Sequence, residues 1–211
     1  GRPIEDLSLE STLDGPTLSI AQASFRTGDN NLSATGSITN YLSDSRTLDI
    51  KIDGKAALNE IPTYYDLAPA ITKLTGQADM NLRARGPVND PANMSFDGEL
   101  NVQNVNMNGE AMVQPVSNLN GQLRLAPQSA NLESLRFDIG SSDISLSGAL
   151  EDYLSYLKSE KDRQTTPHLT GSYQSQVLNM DELINWEDTT TAPIPIHLPD
   201  LTSSVSAEID T

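Results

Sequence analysis

The chain of 211 residues contains no cysteine, few aromatic residues and few basic ones. Without cysteine there is no disulfide framework and no thiol chemistry. Thirteen Lys and Arg stand against 29 Asp and Glu, a net charge of −16 with no basic stripe, which argues against nucleic acid as a partner. No apolar run approaches the ~18 residues of a membrane-spanning helix, and the first three residues lack the core of a signal peptide. We therefore expect this sequence to be excised from a longer protein that carries any membrane anchor.

The dominant pattern is a period-two alternation of apolar and polar residues, which places the apolar set on one face of each strand. Short gaps rich in Gly, Pro, Asn and Asp separate the segments and favour a meander of antiparallel strands. The pattern predicts a mainly β fold, an elongated, curved antiparallel sheet with one apolar and one wet face. The apolar positions that we single out are Leu48, Ile50, Ile52, Met80, Leu82, Phe96, Leu100, Val102, Leu119, Leu123, Leu125, Ile144 and Leu146.

Three stretches break the alternation and predict short helices that plug or cap the sheet. They are 66–74, which has Pro69 in its first turn, 152–161, and 179–186, which begins with Asn179 as a capping residue. Residues 201–211 return to strand alternation and end without an evident turn or partner.

An internal repeat relates two parts of the chain. A shift of 112 positions aligns residues 4–42 with 116–154 without a gap, and 8 of the 39 pairs are identical, against ~2 or 3 for ordinary composition. The sequence thus predicts a repeat unit ending in a short helix over 1–75, intervening strands over 76–115, a second unit over 116–193, and the start of a further repeat over 194–211. Chance agreement between two sets of amphipathic strands is the alternative.

Single glycines fall inside the predicted strands, on their apolar side. Gly36, Gly98, Gly121 and Gly148 occupy such positions. A glycine inside a strand marks a bulge, a bend or the close approach of another backbone. Their recurrence on one face predicts a curved sheet.

Residues that could support catalysis or metal binding do not form a recognisable site. His168 and His197 lie in Pro-rich sequence without further ligands at metal spacing, and Ser145 and Ser147 lie on a strand with no base beside them. The run from Asp49 to Asp53 lacks the calcium ligands of an EF-hand loop, so we interpret it as the wet face of a strand. The sequence predicts no catalytic residue, no metal and no cofactor.

Several segments, in this order, resemble the AsmA-like and TamB-like family of bacterial envelope proteins. They are LTGQADMNLRARGPVNDPA at 74–92, FDGELNVQNV at 96–105, PVSNLNGQLRL at 115–125, LESLRF at 132–137, ISLSGAL at 144–150 and IPIHLPDLTSSVSA at 194–207. The resemblance covers most of the chain and consists of degenerate patterns of apolar, Gly and Asn residues.

The resemblance implies a non-enzymatic periplasmic β-groove of a Gram-negative bacterium. Such a groove is tethered to the inner membrane by a segment absent here and shields phospholipid acyl chains during transport between the membranes, in support of outer-membrane homeostasis. The 13 apolar positions would line it. Two alternatives stay open: a scaffold that assists outer-membrane protein assembly by offering sheet edges, and a closed sandwich that serves adhesion or carbohydrate binding. The last would expose aromatic residues, but Tyr64, Tyr65 and Trp186 fall in or beside the predicted helices, where we expect them to plug the core.

Overall fold

A computed structural model describes residues 4–64, 66–110, 112–158, 165–183 and 202–209. Within them the chain forms one sheet of eleven strands arranged in sequence order. The first ten strands are antiparallel neighbours and the eleventh pairs in parallel with the tenth. The strands are β1 (Asp6–Asp14), β2 (Thr17–Thr27), β3 (Asn30–Thr39), β4 (Thr47–Ala57), β5 (Lys73–Pro87), β6 (Ser95–Asn108), β7 (Val116–Ala126), β8 (Ser129–Ile139), β9 (Ser142–Glu151), β10 (His168–Ser175) and β11 (Thr202–Ile209).

The sheet is open, with β1 at one edge and β11 at the other. The predicted mainly β, antiparallel fold is therefore confirmed. The closed sandwich is wrong for the described residues, because their strands form a single layer. Turn chemistry explains the meander: Asp14-Gly15, Gly28-Asp29 and Gly140-Ser141 supply the tight connections, and these three glycines adopt φ values of +52°, +57° and +58°.

Helical structure is limited to short segments. Single 3₁₀ turns cover Leu58–Glu60, Pro91–Asn93 and Tyr153–Leu157, and two α-helical turns cover Ile61–Tyr64 (α1) and Met180–Leu183 (α2). The helices predicted within 152–161 and 179–186 are present over these residues. Asn179 caps α2 as expected, because its side-chain oxygen accepts the N–H of Asp181 at 3.2 Å. Residues 159–161 and 184–186 lie outside the described residues.

The helix predicted over 66–74 is wrong. Residues 68–70 form a turn, and β5 begins at Lys73. Proline disfavours the α conformation of the residue before it, so Ala68 cannot easily continue a helix into Pro69. The helical turn lies earlier, in α1, where Pro62 falls in the first turn and its missing N–H is not needed. The strand predicted over 201–211 is confirmed over 202–209, but it has a partner, β10.

The 112-residue repeat is present in the strand boundaries. The bounds of β2 and β3, moved by 112 positions, coincide with those of β8 and β9. Two irregularities of strand pairing also recur at the same shift. The register shift at Glu10/Ser11 in the first copy is equivalent to that at Gln122/Leu123 in the second. The shift at Ile20/Ala23 is equivalent to that at Leu132/Leu135. Because bulges are specific features of a backbone, their recurrence at equivalent positions supports a repeat over chance agreement of two strand patterns.

Candidate functional site

The strand register places all 13 predicted apolar positions on one face of the sheet, which we call the apolar face. Ile52 lies opposite Leu82, Leu82 opposite Gly98, and Gly98 opposite Leu125. Residues directly opposite in an antiparallel pair share a face. The same reasoning applies along each strand, where every second residue returns to that face. The predicted residues are therefore brought together on one surface that extends from β4 to β9.

The apolar face is only partly covered in the described part of the chain. Of the 13 positions, 12 are half-buried and Ile52 is exposed. Among all the described residues, Ala57, Ala78 and Val105 are the only buried hydrophobic side chains, and Ala57 lies opposite Gln77, off the apolar face. A soluble protein normally packs such a surface against a second layer, and a large exposed apolar surface indicates a ligand, a partner or a membrane. The apolar face is thus the candidate functional site.

A depression of about 400 Å³ lies in the apolar face over β7 to β10. Its centre is a pair of directly opposed glycines, Gly148 and Gly171, with Leu132 opposite Gly148 on the other side. Because neither glycine has a side chain, the floor of the depression is low at this point, and leucine side chains surround the depression. The apolar-face residues that line it are Leu123, Ala130, Leu132, Leu146, Gly148, Leu150, Leu169, Gly171 and Tyr173.

Several of these lining residues were missed by the sequence reasoning. Leu132 and Leu169 belong to strands whose alternation is interrupted or short. Leu150 was not among the 13 positions, although it continues the regular alternation of Ile144 and Leu146 in β9. For Leu132 the interruption is the bulge before Leu135, which switches the apolar positions of β8 from even to odd numbers. The repeat could have found it, because Leu132 aligns with Ile20, an apolar position of the first copy.

Bulges and glycines occur together along the apolar face. Gly76 lies within a register shift, and Gly121 lies next to one on its own strand. Gly36 and Gly148 lie opposite Ile20 and Leu132, where the register of the neighbouring strand shifts. Each bulge bends its strand and increases the local twist. Of the four glycines that we expected to mark bends, Gly36, Gly121 and Gly148 adjoin register shifts, whereas Gly98 is in continuous register with both neighbouring strands. The bulges supply a physical cause for curvature of the sheet.

The opposite, wet face is held by pairs of charged side chains. Arg83 donates two hydrogen bonds to the carboxylate of Asp49, each 2.7 Å long, and Arg124 bonds Glu99 at 2.9 Å and Glu133 at 2.8 Å. The hydrogen bonds from Arg83 lower the pKa of the Asp49 carboxyl. The wet-face interpretation of Asp49 and its strand is consistent with these contacts.

The carboxylate of Asp143 holds the segment after β10. It accepts the backbone N–H of Val177 at 2.7 Å and that of Gln176 at 3.1 Å. These two backbone donors lower the pKa of Asp143, because they stabilise its charged form. This contact fixes the position of residues that lead into α2.

The remaining candidates that fall within the described residues are not gathered into one site. Ser147 lies on the wet face, where its hydroxyl is 2.6 Å from that of Ser172, and Ser145 shares this face. His168 begins β10 opposite Glu151. No group of three or more metal-ligating side chains occurs within the described ranges. Tyr64 ends α1, whereas Tyr65, Trp186 and His197 lie outside the described residues.

The fold and the apolar face together define an open, single-layer antiparallel β-sheet protein with one partly exposed apolar surface. No family model, curated protein or solved structure matches the chain. None of the helices in the described residues is long and apolar enough to cross a membrane.

Proposed function

We propose that the apolar face binds the acyl chains of lipids. The single observation that carries this proposal is a continuous apolar surface, several strands wide, that no second layer covers among the described residues. Acyl chains are flexible and apolar, so they can follow a curved surface and remove it from water. Each Å² of apolar surface so covered contributes about 25 cal/mol.

The dimensions of the depression suit one acyl chain. Four neighbouring strands lie ~4.8 Å apart, so β7 to β10 extend ~14 Å from the first to the last. A single acyl chain fills half of a ~30 Å bilayer core, or ~15 Å. A chain lying across these four strands would therefore fit between Leu123 and Leu169, over the floor formed by Gly148 and Gly171.

The wider role that we propose is non-enzymatic lipid transport in the periplasm of a Gram-negative bacterium. The resemblance to AsmA-like and TamB-like proteins supports this role, as does an open sheet whose apolar face crosses many strands. Phospholipid would move along the groove between the inner and outer membranes, and a segment outside this sequence would tether the protein. The net charge of −16 disfavours docking on anionic lipid surfaces, so the face that we expect to bind lipid is the apolar one.

Native mass spectrometry with lipid extraction tests the proposal on protein expressed with a periplasmic signal. We expect co-purified phospholipid, and we expect its loss when Leu82, Leu100 and Leu123 are changed to Asp. These leucines point to the apolar face, and Leu100 lies directly opposite Leu123. An ionised carboxylate there would have to be desolvated by an acyl chain, which is strongly unfavourable.

A matched control adds the same charges to the wet face of the same strands. Asn81→Asp, Asn101→Asp and Gln122→Glu change the neighbours of the three leucines, and lipid should be retained. Circular dichroism establishes that both triple variants are folded. A wild-type protein that is free of lipid and takes up no fluorescent acyl probe contradicts the proposal and favours the assembly scaffold.

A further inference from the structure

The two copies of the repeat differ in the residue that faces an equivalent glycine on the apolar face. In the first copy Gly36 of β3 lies opposite Ile50 of β4. In the second copy Gly148 of β9 lies opposite Gly171 of β10. Gly36 and Gly148 are equivalent under the 112-residue shift, and β4 and β10 are each the fourth strand of their copy. A large β-branched side chain in the first copy is therefore replaced by a bare backbone in the second.

The backbone requires the glycine of the third strand in each copy, but it does not require Gly171. A Cβ at Gly36 would overlap the carbonyl oxygen of Asp49, and a Cβ at Gly148 would overlap that of Thr170. At Gly171 the nearest atom to a Cβ would be 3.5 Å away, which is an ordinary contact. Nor does Gly171 mark a bulge, because β10 pairs with β9 in continuous register.

A glycine inside a strand lowers the stability of the strand and marks a bulge, a bend or the close approach of a backbone or a ligand. For Gly171 the bulge is absent and the neighbouring backbone leaves room for a side chain. Close approach of a ligand is the explanation that agrees with its position in the floor of the depression.

The residues on either side of the glycine pair form walls in the second copy. Leu146 lies opposite Tyr173 on one side of the pair, and Leu150 lies opposite Leu169 on the other. The residue of the first copy that is equivalent to Leu146 is the much smaller Ala34. The second copy thus combines a low floor with large walls, whereas Ile50 fills the floor of the first copy.

A low floor between two walls gives a hydrocarbon chain more contact than a level surface does. Contact with the floor and both walls would remove about two more methylene groups from water, which corresponds to about tenfold tighter binding. No charged side chain lines the depression within the described part of the chain. The site therefore suits the hydrocarbon part of a lipid and makes no demand on the headgroup.

We propose that Gly171 is a specificity-determining residue that gives the acyl chain a preferred position on the apolar face. It leaves the floor of the depression in the second copy open, while Ile50 excludes a chain from the equivalent position of the first copy. This inference rests on the proposed binding of acyl chains by the apolar face. It adds where on that face a chain is held most tightly, and which two residues decide it.

Two equivalent single-cysteine variants compare the copies directly, since the chain has no cysteine of its own. Leu18→Cys and Ala130→Cys are related by the 112-residue shift, and both positions lie on the apolar face. A fluorophore at each position is titrated with a fatty acid that carries a nitroxide on its chain. We expect half-maximal quenching at position 130 at a concentration about tenfold lower than at position 18.

Exchange of the two facing residues tests the cause of this difference. Gly171→Ile should raise the half-quenching concentration at position 130 about tenfold, and Ile50→Gly should lower the value at position 18. Gly171→Ala, a milder change that fits without strain, should raise the value at position 130 about threefold. The matched control Gln174→Ile adds an isoleucine to the exposed wet face of β10 and should change neither value. Circular dichroism establishes that each variant is folded.

Equal half-quenching concentrations at positions 18 and 130 in the otherwise unchanged protein would overturn the inference. So would an unchanged value at position 130 in folded Gly171→Ile or Gly171→Ala protein. Strong quenching at both positions with either of these results would leave acyl-chain binding by the apolar face intact. No quenching at either position would contradict both the inference and the proposed function.

Discussion

At the scale of single residues, two glycines on the apolar face have different structural roles. Gly98 lies in β6 with a φ of +135°, a conformation that other residues rarely adopt, and a Cβ at this position would overlap the carbonyl oxygen of Asn81. Gly171 lies in β10, and a Cβ there would be 3.5 Å from the nearest atom, the carbonyl oxygen of Ser147, which is an ordinary contact. Only the first glycine is required by the backbone.

These two positions form a matched pair for mutation. We expect Gly98→Ala to lower the free energy of unfolding by about 1–3 kcal/mol, because the alanine must adopt a strained conformation and push β5 away from β6. Gly171→Ala should change it by less than about 1 kcal/mol, since the alanine fits without strain. Urea unfolding followed by circular dichroism measures both. Equal destabilisation by the two variants would refute the assignment of Gly98 as a backbone requirement.

The direction of single side chains explains why the 13 apolar positions could be predicted. Side-chain direction alternates strictly along a strand, so local sequence decides which residues share a face. This rule could not assign Leu132 and Leu135 to the same face. The bulge between them switches the apolar-face positions of β8 from even to odd residue numbers. A bulge depends on how two strands pair, and the sequence of one strand does not reveal it.

At the scale of elements, a short segment after the fourth strand of each repeat closes one end of a hairpin. In the first copy Glu60 is 4% exposed and accepts a hydrogen bond from the side chain of Asn30 at 2.5 Å, while the Asn30 oxygen accepts the N–H of Ala57 at 2.8 Å. In the second copy Glu182 accepts the N–H of Ser141 at 2.6 Å. Both carboxylates bond the turn region between the second and third strands of their copy.

We expect Glu60→Ala to destabilise the protein by about 1–3 kcal/mol, because it removes the acceptor of a buried hydrogen bond. The local effect should be faster hydrogen exchange at the amide of Ala57, which depends on the orientation of Asn30. Glu182→Ala is the control in the other copy. It should accelerate exchange at Ser141 and leave Ala57 unchanged. Faster exchange at both amides in either variant would contradict independent closure of the two hairpins.

Some elements could be predicted from the sequence and others could not. The strands could be predicted because alternation is a local pattern, and the repeat because two parts of the sequence align at a shift of 112 residues. The helix over 66–74 was wrongly predicted, because apolar spacing at Leu67, Ile71 and Leu74 also suits a turn followed by a strand. The parallel partner of β11 was not predicted, because pairing between segments that are distant along the chain leaves no local pattern.

At the scale of the whole molecule, the sheet has one face stabilised by charged and hydrogen-bonded pairs and another that is apolar and partly exposed. Strand pairing and the pairs on the wet face hold the sheet together without a second layer over the described strands. Such a surface needs an occupant in water. We propose that acyl chains occupy this face and not the other.

Two single-cysteine variants of neighbouring residues test that claim most directly. Leu100→Cys places a fluorophore on the apolar face of β6, and Asn101→Cys places the same fluorophore on the wet face. We expect a phospholipid with a nitroxide on its acyl chain to quench the label at position 100 strongly and the label at position 101 weakly, in proportion to bound lipid. Equal quenching at the two positions, or no quenching at position 100 under saturating lipid, would contradict acyl-chain binding by the apolar face.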